Sequence, residues 1–378
     1  MTVDVMHIIN GLEVGGAERS LSNLLRGGLS GTVRHGVISL QDQGAYGAEI
    51  TDANVPLWTL GMSRGAASPA AFARLRRIVA DASPRLLQGW MYHSNLAAAM
   101  TRKISSRPLR LAWNIRQTAG RLDQEKPLTR WVIRAHRPFA AKVDAIVYNC
   151  ALSQRQHEQL GLRGKHSEVI ANGVDTARFC PSRADRLALR RELGISESAR
   201  VIGHAARYHP MKDHAGLLKA LSHVAKAAPD VHFLLAGTGV EATNQDLLRG
   251  SAAIGIDRVH LLGERADMPR LLAGMDILCL SSAWGEGFPN VIAEAMACAV
   301  PCVATDIGAS AEIVGGTGQV VPANAPIELA RALITLLDLS ADALRQLGSR
   351  ARQRVLDNYA IDAAVSRYRA LYARLLDA

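Results

Sequence analysis

Short β-branched or apolar runs alternate with amphipathic helical stretches from one end of the chain to the other. That alternation argues for parallel sheets covered by helices on both faces. In the first half, residues 7–9, 36–40, 85–88, 110–114 and 145–148 read as strands, with helices at 17–26 and 69–82. In the second half, 201–205, 232–236, 259–262, 277–281 and 302–305 read as strands, with helices at 214–228, 267–273 and 289–298. The polar, Arg-rich stretch 181–192 reads as a crossing between domains, and 359–376 as a final helix. A chain of 378 residues is too long for one ordinary core and suits two α/β domains.

The sequence is 48% hydrophobic and 21% charged, the balance of a soluble globular protein. No apolar run reaches the roughly 18 residues that a membrane span needs. The first ten residues have no basic region or cleavage site and are expected to form a strand, not a leader. The five cysteines (Cys150, Cys180, Cys279, Cys298, Cys302) are odd in number and lack metal-ligand spacing. Cys298 and Cys302 lie in apolar surroundings that suit packing, so a reducing, cytoplasmic setting is expected.

Charge is unevenly spread. Residues 1–180 hold 23 Lys/Arg against 13 Asp/Glu, whereas 181–378 hold 21 of each. Residues 101–142 alone carry 11 basic and 2 acidic groups. The basic ones are Arg102, Lys103, Arg107, Arg110, Arg116, Arg121, Lys126, Arg130, Arg134, Arg137 and Lys142, with Trp113, Trp131 and Phe139 among them. Such a stretch suits a solvated helix face, a nucleic acid or an anionic membrane surface. No helix-turn-helix, zinc-finger or RNP-type motif accompanies it, so nucleic acid is not expected as a partner. The expectation carried forward is a peripheral contact with the inner face of an anionic membrane.

Residues 285–298 (Gly-Glu-Gly-Phe-Pro-Asn-Val-Ile-Ala-Glu-Ala-Met-Ala-Cys) place two carboxylates, Glu286 and Glu294, eight residues apart around a helix start. Pro289 suits the first helical position, where its missing N–H leaves nothing unpaired. Glu294 is the only charge between Phe288 and Thr305, and an ionised group in an apolar helix is costly unless paired. Two helical turns let both carboxylates face one cleft beside a helix N-terminus, which attracts phosphate. A capped buried helix with one surface Glu is the plain alternative.

Two more segments bear on chemistry. Gly11-Leu12-Glu13-Val14-Gly15-Gly16-Ala17-Glu18 joins a strand to a helix, and its glycines let backbone N–H groups approach an anion or simply make a tight turn. It is neither G-x-G-x-x-G nor a P-loop. Arg207 and Lys212 lie just beyond a strand, where two cations suit a diphosphate or an ordinary surface.

Together these segments resemble the donor site of retaining glycosyltransferases of family four, with its E-x7-E pair, Gly-Gly-Ala-Glu loop and Arg/Lys pair. Further matches run along almost the whole chain. They are Asn172-Gly173-Val174-Asp175 followed by Phe179 and Pro181, then Gly237-Thr238-Gly239, Leu262-Gly263-Glu264 with Met275-Asp276, and 304–308 with Glu312. The resemblance implies the GT-B fold: α/β, two Rossmann-like domains whose parallel sheets face a cleft. Residues 1–178 would form the acceptor-side domain, 179–358 the nucleotide-sugar domain, and 359–378 a helix crossing back to the first.

It also implies roles for single residues. Catalytic roles fall to His93, Arg207, Lys212 and Glu286. Arg207 and Lys212 would hold the donor diphosphate, with Gly15 and Gly16 facing it; Glu286 would hold sugar hydroxyls and Glu294 the ribose. Glu264 and Arg265 would pass beside the base, and Gly287, Phe288, Pro289 and Asn290 would complete the donor contacts. Glu18 and Arg116 are candidate acceptor contacts. The family usually has Gly after the Lys, so Asp213 is a departure. No Asp-x-Asp triplet occurs, so neither a metal nor a cofactor is expected. The expected reaction is front-face transfer from a nucleoside-diphosphate sugar, UDP first, to a glycan or lipid-linked acceptor in cell-surface polysaccharide synthesis. A small soluble acceptor, a nucleotide-sugar epimerase and a non-catalytic sugar-nucleotide sensor stay open.

Overall fold

The computed structural model describes residues 2–31, 33–63, 68–120 and 127–377. It divides into two compact units, Met1–Gly173 with Ile361–Ala378, and Val174–Ala360. The divisions thus fall after Gly173 and Ala360, where the sequence suggests 178 and 358. The reason is local: Val174 bridges Ala360, and its N–H donates to the Tyr359 carbonyl at 2.8 Å, so both crossings of the chain pair within the second unit.

In the first unit seven parallel strands are arranged β3-β2-β1-β4-β5-β6-β7. They are β1 (Val5–Ile9), β2 (His35–Ser39), β3 (Leu57–Thr59), β4 (Leu86–Trp90), β5 (Arg110–Ile115), β6 (Ala145–Tyr148) and β7 (His166–Val169). The helices are α1 (Gly16–Arg26), α2 (Gly47–Asp52), α3 (Pro69–Ala82), α4 (Met91–Lys103), α5 (Pro127–Ala135), α6 (Arg137–Ala140) and α7 (Ala151–Gln159). Every residue of β1 is buried; Met6 and Ile8 enter one core, Val5 and Ile9 the other. That two-sided burial is why the strand reads as a continuous apolar run rather than an alternation. The C-terminal helix α16 (Ile361–Asp377) covers one face, packing Val365, Tyr368, Leu371, Tyr372 and Leu375 into the core that holds Val5 and Ile9.

In the second unit the order of six parallel strands is β10-β9-β8-β11-β12-β13. They are β8 (Val201–Ala205), β9 (His232–Ala236), β10 (Val259–Leu261), β11 (Ile277–Leu280), β12 (Cys302–Thr305) and β13 (Gln319–Val321). Helices α8 (Arg183–Glu192), α9 (His214–Ala227), α10 (Gln245–Ala252), α11 (Met268–Ala273), α12 (Asn290–Ala297), α13 (Ser310–Val314), α14 (Pro326–Leu337) and α15 (Ala341–Asn358) belong to it. The stretch read as a crossing is therefore α8, a helix of this unit. Ser182 caps it by accepting the Asp185 N–H at 3.1 Å, and Arg186 and Arg190 each reach Asp276 at 2.8 Å. Those long-range ion pairs, absent from local pattern, turn a polar run into a packed helix.

The basic residues of 101–142 have several fates, and Arg121 and Lys126 lie outside the described residues. Arg116 is buried, and Trp113 is fully buried in the core, so neither can meet a membrane; Phe139 packs against the same core. Arg102 and Arg110 pair with Asp144 at 3.4 and 3.7 Å. Lys103, Arg134, Arg137 and Lys142 stay exposed. Among the described residues no helix is long and apolar enough to cross a membrane.

Candidate functional site

Open parallel sheets bind ligands beyond the carboxyl ends of their strands, where strand order reverses. In the second sheet that point lies between β8 and β11, which pair directly through Ile277 with Ile202 and Leu278 with Gly203. Lys212 follows β8 and Glu286 follows β11, and the Lys212 Nζ forms an ion pair with Glu286 Oε1 there. Both side chains are largely buried, at 16% and 9% exposed, and Ser282 Oγ donates to the same carboxylate oxygen at 2.6 Å.

The backbone around this pair is fixed from several sides. Ala283 N–H donates to the Met211 carbonyl at 2.8 Å, Thr305 Oγ1 to the Ser282 carbonyl at 2.7 Å, and Ala309 N–H to the Gly287 carbonyl at 2.8 Å. Gly285 turns the loop at φ 79°, and a Cβ there would strike the Met211 side chain. Beneath Lys212 lie two imidazoles, His204 and His214, with ring centroids 4.9 Å apart. Burial, then the neighbouring His214, push His204 down to about 3; burial, then Lys212, push His214 down to about 4. The floor is therefore uncharged at neutral pH, and the fixed positive charge belongs to Lys212.

Other loops join at the same edge. Tyr208 N–H donates to the Thr238 carbonyl at 2.8 Å, Gly237 N–H to the Gly263 carbonyl at 2.7 Å, and Thr238 Oγ1 to Glu264 Oε2 at 2.9 Å. Arg207 is exposed beside them. Arg265, expected beside a base, grips Asp267 at 2.8 and 2.7 Å and Glu192 at 3.0 Å, so its guanidinium is engaged within the unit. Pro289 precedes α12 as its N-cap, at φ −70° and ψ 95°, one position earlier than expected. The N-cap residue of α12 offers no side-chain cap, and the Ile292 N–H donates to the Pro289 carbonyl at 3.1 Å. Phe288 is buried against Tyr359, with ring centroids 5.4 Å apart, and Glu294 is buried within α12. Asn290, at the first position of α12, is half-buried.

The first sheet has its own reversal between β1 and β4. The Gly15–Gly16 loop follows β1, and His93 lies in the first turn of α4 after β4. His93 is exposed at the residue level, yet surrounding protein desolvates the ring and lowers its pKa. Glu18, expected to meet an acceptor, lies in the first turn of α1, where burial raises its pKa. The Glu18 carboxylate lies where a Cβ on Gly15 would stand.

Arg116 also departs from expectation. Its guanidinium is buried, bonded to Asn114 at 2.9 Å, Tyr368 at 3.0 Å, Ser20 at 2.8 Å and to Asn172, and stands 5.3 Å from the centre of the Trp90 ring. It ties β5, α1, α16 and the end of the first unit's chain together rather than facing an acceptor. Ser282 is the residue the sequence reading passed over; its signal was a Ser-Ser pair between β11 and the Gly-rich loop. Among the described residues no group of three or more His, Cys, Asp or Glu is placed to hold a metal ion.

Residues 14–178 match the family described as Glycosyltransferase Family 4, and residues 199–339 the family described as Glycosyl transferases group 1. The chain belongs to these glycosyltransferases. It is 32% identical over 214 residues to N-acetyl-alpha-D-glucosaminyl L-malate synthase of Bacillus anthracis, covering 56% of this chain and 55% of that one. It is 29% identical over 276 residues to phosphatidyl-myo-inositol mannosyltransferase of Mycobacterium leprae, covering 71% and 68%. The chain thus spans about half the length of the first of these relatives. The crystal structure of HepE from Anabaena with UDP and glucose superposes with a TM-score of 0.85 over 98% of this chain and 100% of that one, at 22% identity. That likeness shows the fold: two Rossmann-like domains of the GT-B type.

Proposed function

We propose that the protein is a retaining, metal-independent glycosyltransferase. It moves a hexose-type sugar from a nucleoside-diphosphate sugar, UDP being the first nucleotide to test, to a glycan or lipid-linked acceptor in cell-surface polysaccharide assembly. The observation that carries this reading is the largely buried Lys212–Glu286 pair at the switch point of the second sheet. Glu286 is suited to accept hydrogen bonds from sugar hydroxyls. Lys212, Arg207 and the first amides of α12 are suited to neutralise a departing diphosphate. The bond from the anomeric carbon to the diphosphate oxygen breaks, and one to the acceptor oxygen forms on the same face. The acceptor's proton passes to the diphosphate.

Glu294 is assigned to the ribose, Glu264 and the Arg265 backbone to the base, and His93 to the sugar. For Gly15 and Gly16 to touch a pyrophosphate, the Glu18 carboxylate must swing away from Gly15. The relatives' names support the class: HepE was crystallised with UDP and glucose, and the Mycobacterium leprae enzyme is named for a phosphatidylinositol acceptor. A lipid acceptor is also supported by α5, where Trp131 and Leu128 are 62% and 49% exposed next to Arg130 and Arg134. Aromatic and basic side chains together suit the headgroup layer of an anionic bilayer.

A donor panel with and without lipid acceptor tests the reading. Lys212→Ala should cut transfer by ~100-fold or more, the scale of losing a charge stabiliser, when assayed well below the melting temperature, which loss of the cation beside the Glu286 carboxylate should lower. Near-wild-type transfer would remove the assignment. An epimerised free product would indicate an epimerase, and donor binding without turnover a sensor. Co-sedimentation with anionic but not neutral vesicles, reversed by salt and by Trp131→Ala with Arg134→Glu, is expected; equal recovery with both lipids would favour a soluble acceptor.

A further inference from the structure

At the amino-terminal edge of the first sheet lies a cavity of about 660 Å³, walled by Arg85, Arg102, Arg107 and Arg110 above an apolar floor that includes Leu109 and Leu375. Arg85 immediately precedes β4 and Arg110 opens β5, whereas His93 follows β4 at its other end. A five-residue strand spans about 17 Å, so this cavity is remote from the first unit's candidate residues.

Charge around it is poorly compensated. None of the lining residues is acidic. Arg107 donates to Ser83 Oγ at 2.7 Å, Arg102 to the Lys142 carbonyl at 2.6 Å, and Arg85 to the Leu376 carbonyl, all neutral acceptors. The nearby carboxylate of Asp144 is shared by Arg102, Arg110 and Lys165, at 3.4, 3.7 and 2.8 Å. Asp4, which feels Arg85, is already paired with Arg34 at 3.1 Å. Each guanidinium has five N–H donors in a fork that matches tetrahedral oxyanions, and these bonds leave most of them available.

We propose that this cavity is a phosphate-binding site separate from the transfer chemistry. The guanidinium wall holds the oxygens and the leucine floor accepts the first methylenes of an esterified chain. A soluble phosphate and a lipid phosphate headgroup share that chemistry. The site stands whether or not the nucleotide-sugar reading does.

Isothermal titration of the full chain carrying Lys212→Ala with Arg207→Ala, which removes the cations of the other phosphate candidate, uses two probes: inorganic phosphate and short-chain phosphatidic acid below its micellar concentration. Arg85→Ala with Arg107→Ala should weaken binding by ~10-fold or more, as loss of two charge-assisted bonds requires. In the background with Lys212 and Arg207 intact, that double variant should leave UDP binding unchanged. The Arg85→Lys, Arg107→Lys variant, which keeps the charge, should retain part of the affinity. Equal affinity for both probes assigns a soluble anion, and tighter phosphatidic acid binding a lipid headgroup. Failure of both probes to bind, or binding undiminished in the double alanine variant with an unchanged melting temperature, would overturn the proposal.

Discussion

Asp213 sits at φ 46° and ψ 54°, where a Cβ crowds the following carbonyl and glycine is the easiest occupant. Its carboxylate offsets part of that strain by accepting the Gly216 N–H at 2.9 Å, capping α9. The departure from the family's usual Gly is therefore a substitution that keeps the left-handed turn and adds a cap. Asp213→Gly should change stability by less than about 0.5 kcal/mol, since Gly at an N-cap is only a few tenths worse than Asp and relieves the turn. Asp213→Ala keeps the strain and loses the cap, and should cost about 1–2 kcal/mol. Urea unfolding decides this: an Asp213→Ala midpoint equal to wild type would mean that the cap contributes nothing, and equal midpoints for the two variants that the turn carries no strain. Single-residue reading has a clear limit here. Arg116 and Arg207 both follow strands as cations, yet one is buried and the other exposed. What separates them is Tyr368 of α16, 252 residues from Arg116, which no local pattern reveals.

At the level of elements, the two sheets carry the same device. Asp144, just before β6, accepts the Leu111 N–H of the neighbouring strand at 2.9 Å; Asp276, just before β11, accepts the Val201 N–H at 2.8 Å. Each is held by three cations: Arg102, Arg110 and Lys165 for Asp144, and Arg186, Arg190 and Arg200 for Asp276. The clamps differ in solvent access. The cations on Asp144 are 28%, 38% and 51% exposed, while Arg190 on Asp276 is 2% exposed. Asp276→Ala strands a buried guanidinium and should destabilise by about 3–5 kcal/mol. Asp144→Ala leaves cations that water can reach and should cost clearly less. Chemical denaturation that ranks them the other way would refute the role of burial. Neither clamp was visible in the sequence, because each joins residues more than twenty positions apart. The central strands were legible, since two-sided burial writes an apolar run. The strands passed over, β3 (Leu57–Thr59), β7 (His166–Val169) and β13 (Gln319–Val321), are three of the four edge strands, where partial exposure weakens that run; the fourth, β10, was legible.

For the molecule as a whole, six buried imidazoles set a common acid limit. In the first unit His7 stacks on His35 with ring centroids 5.1 Å apart, and Trp90 Nε1 donates to His7 Nδ1 at 3.1 Å. Burial pushes His35 down to about 4 and His7 well below its ordinary value; burial likewise pushes His136 and His157 to about 4. In the second unit His214 is pushed to about 4 and His204 to about 3. A depressed folded pKa means that the unfolded chain takes up the proton first as pH falls. The stability is fully present above the ordinary value of 6.5 and is lost progressively down to about 4. Carboxylates with lowered pKa values, such as Asp4, Asp144 and Asp267, begin to act only near their ordinary value of 3.8, below most of that window. Glu18, raised from 4.5 by burial, acts with the opposite sign, its stabilisation growing as pH falls through its folded pKa. Urea midpoints should therefore be level above pH ~7 and decline steadily between about 6.5 and 4. Because both units hold such histidines, the decline should appear in probes of each. Replacing His35 by Gln should flatten the slope for the first unit and leave the second unit's slope unchanged. A midpoint that stays constant from pH 7 to 4.5 would show that these imidazoles are not held neutral by the fold.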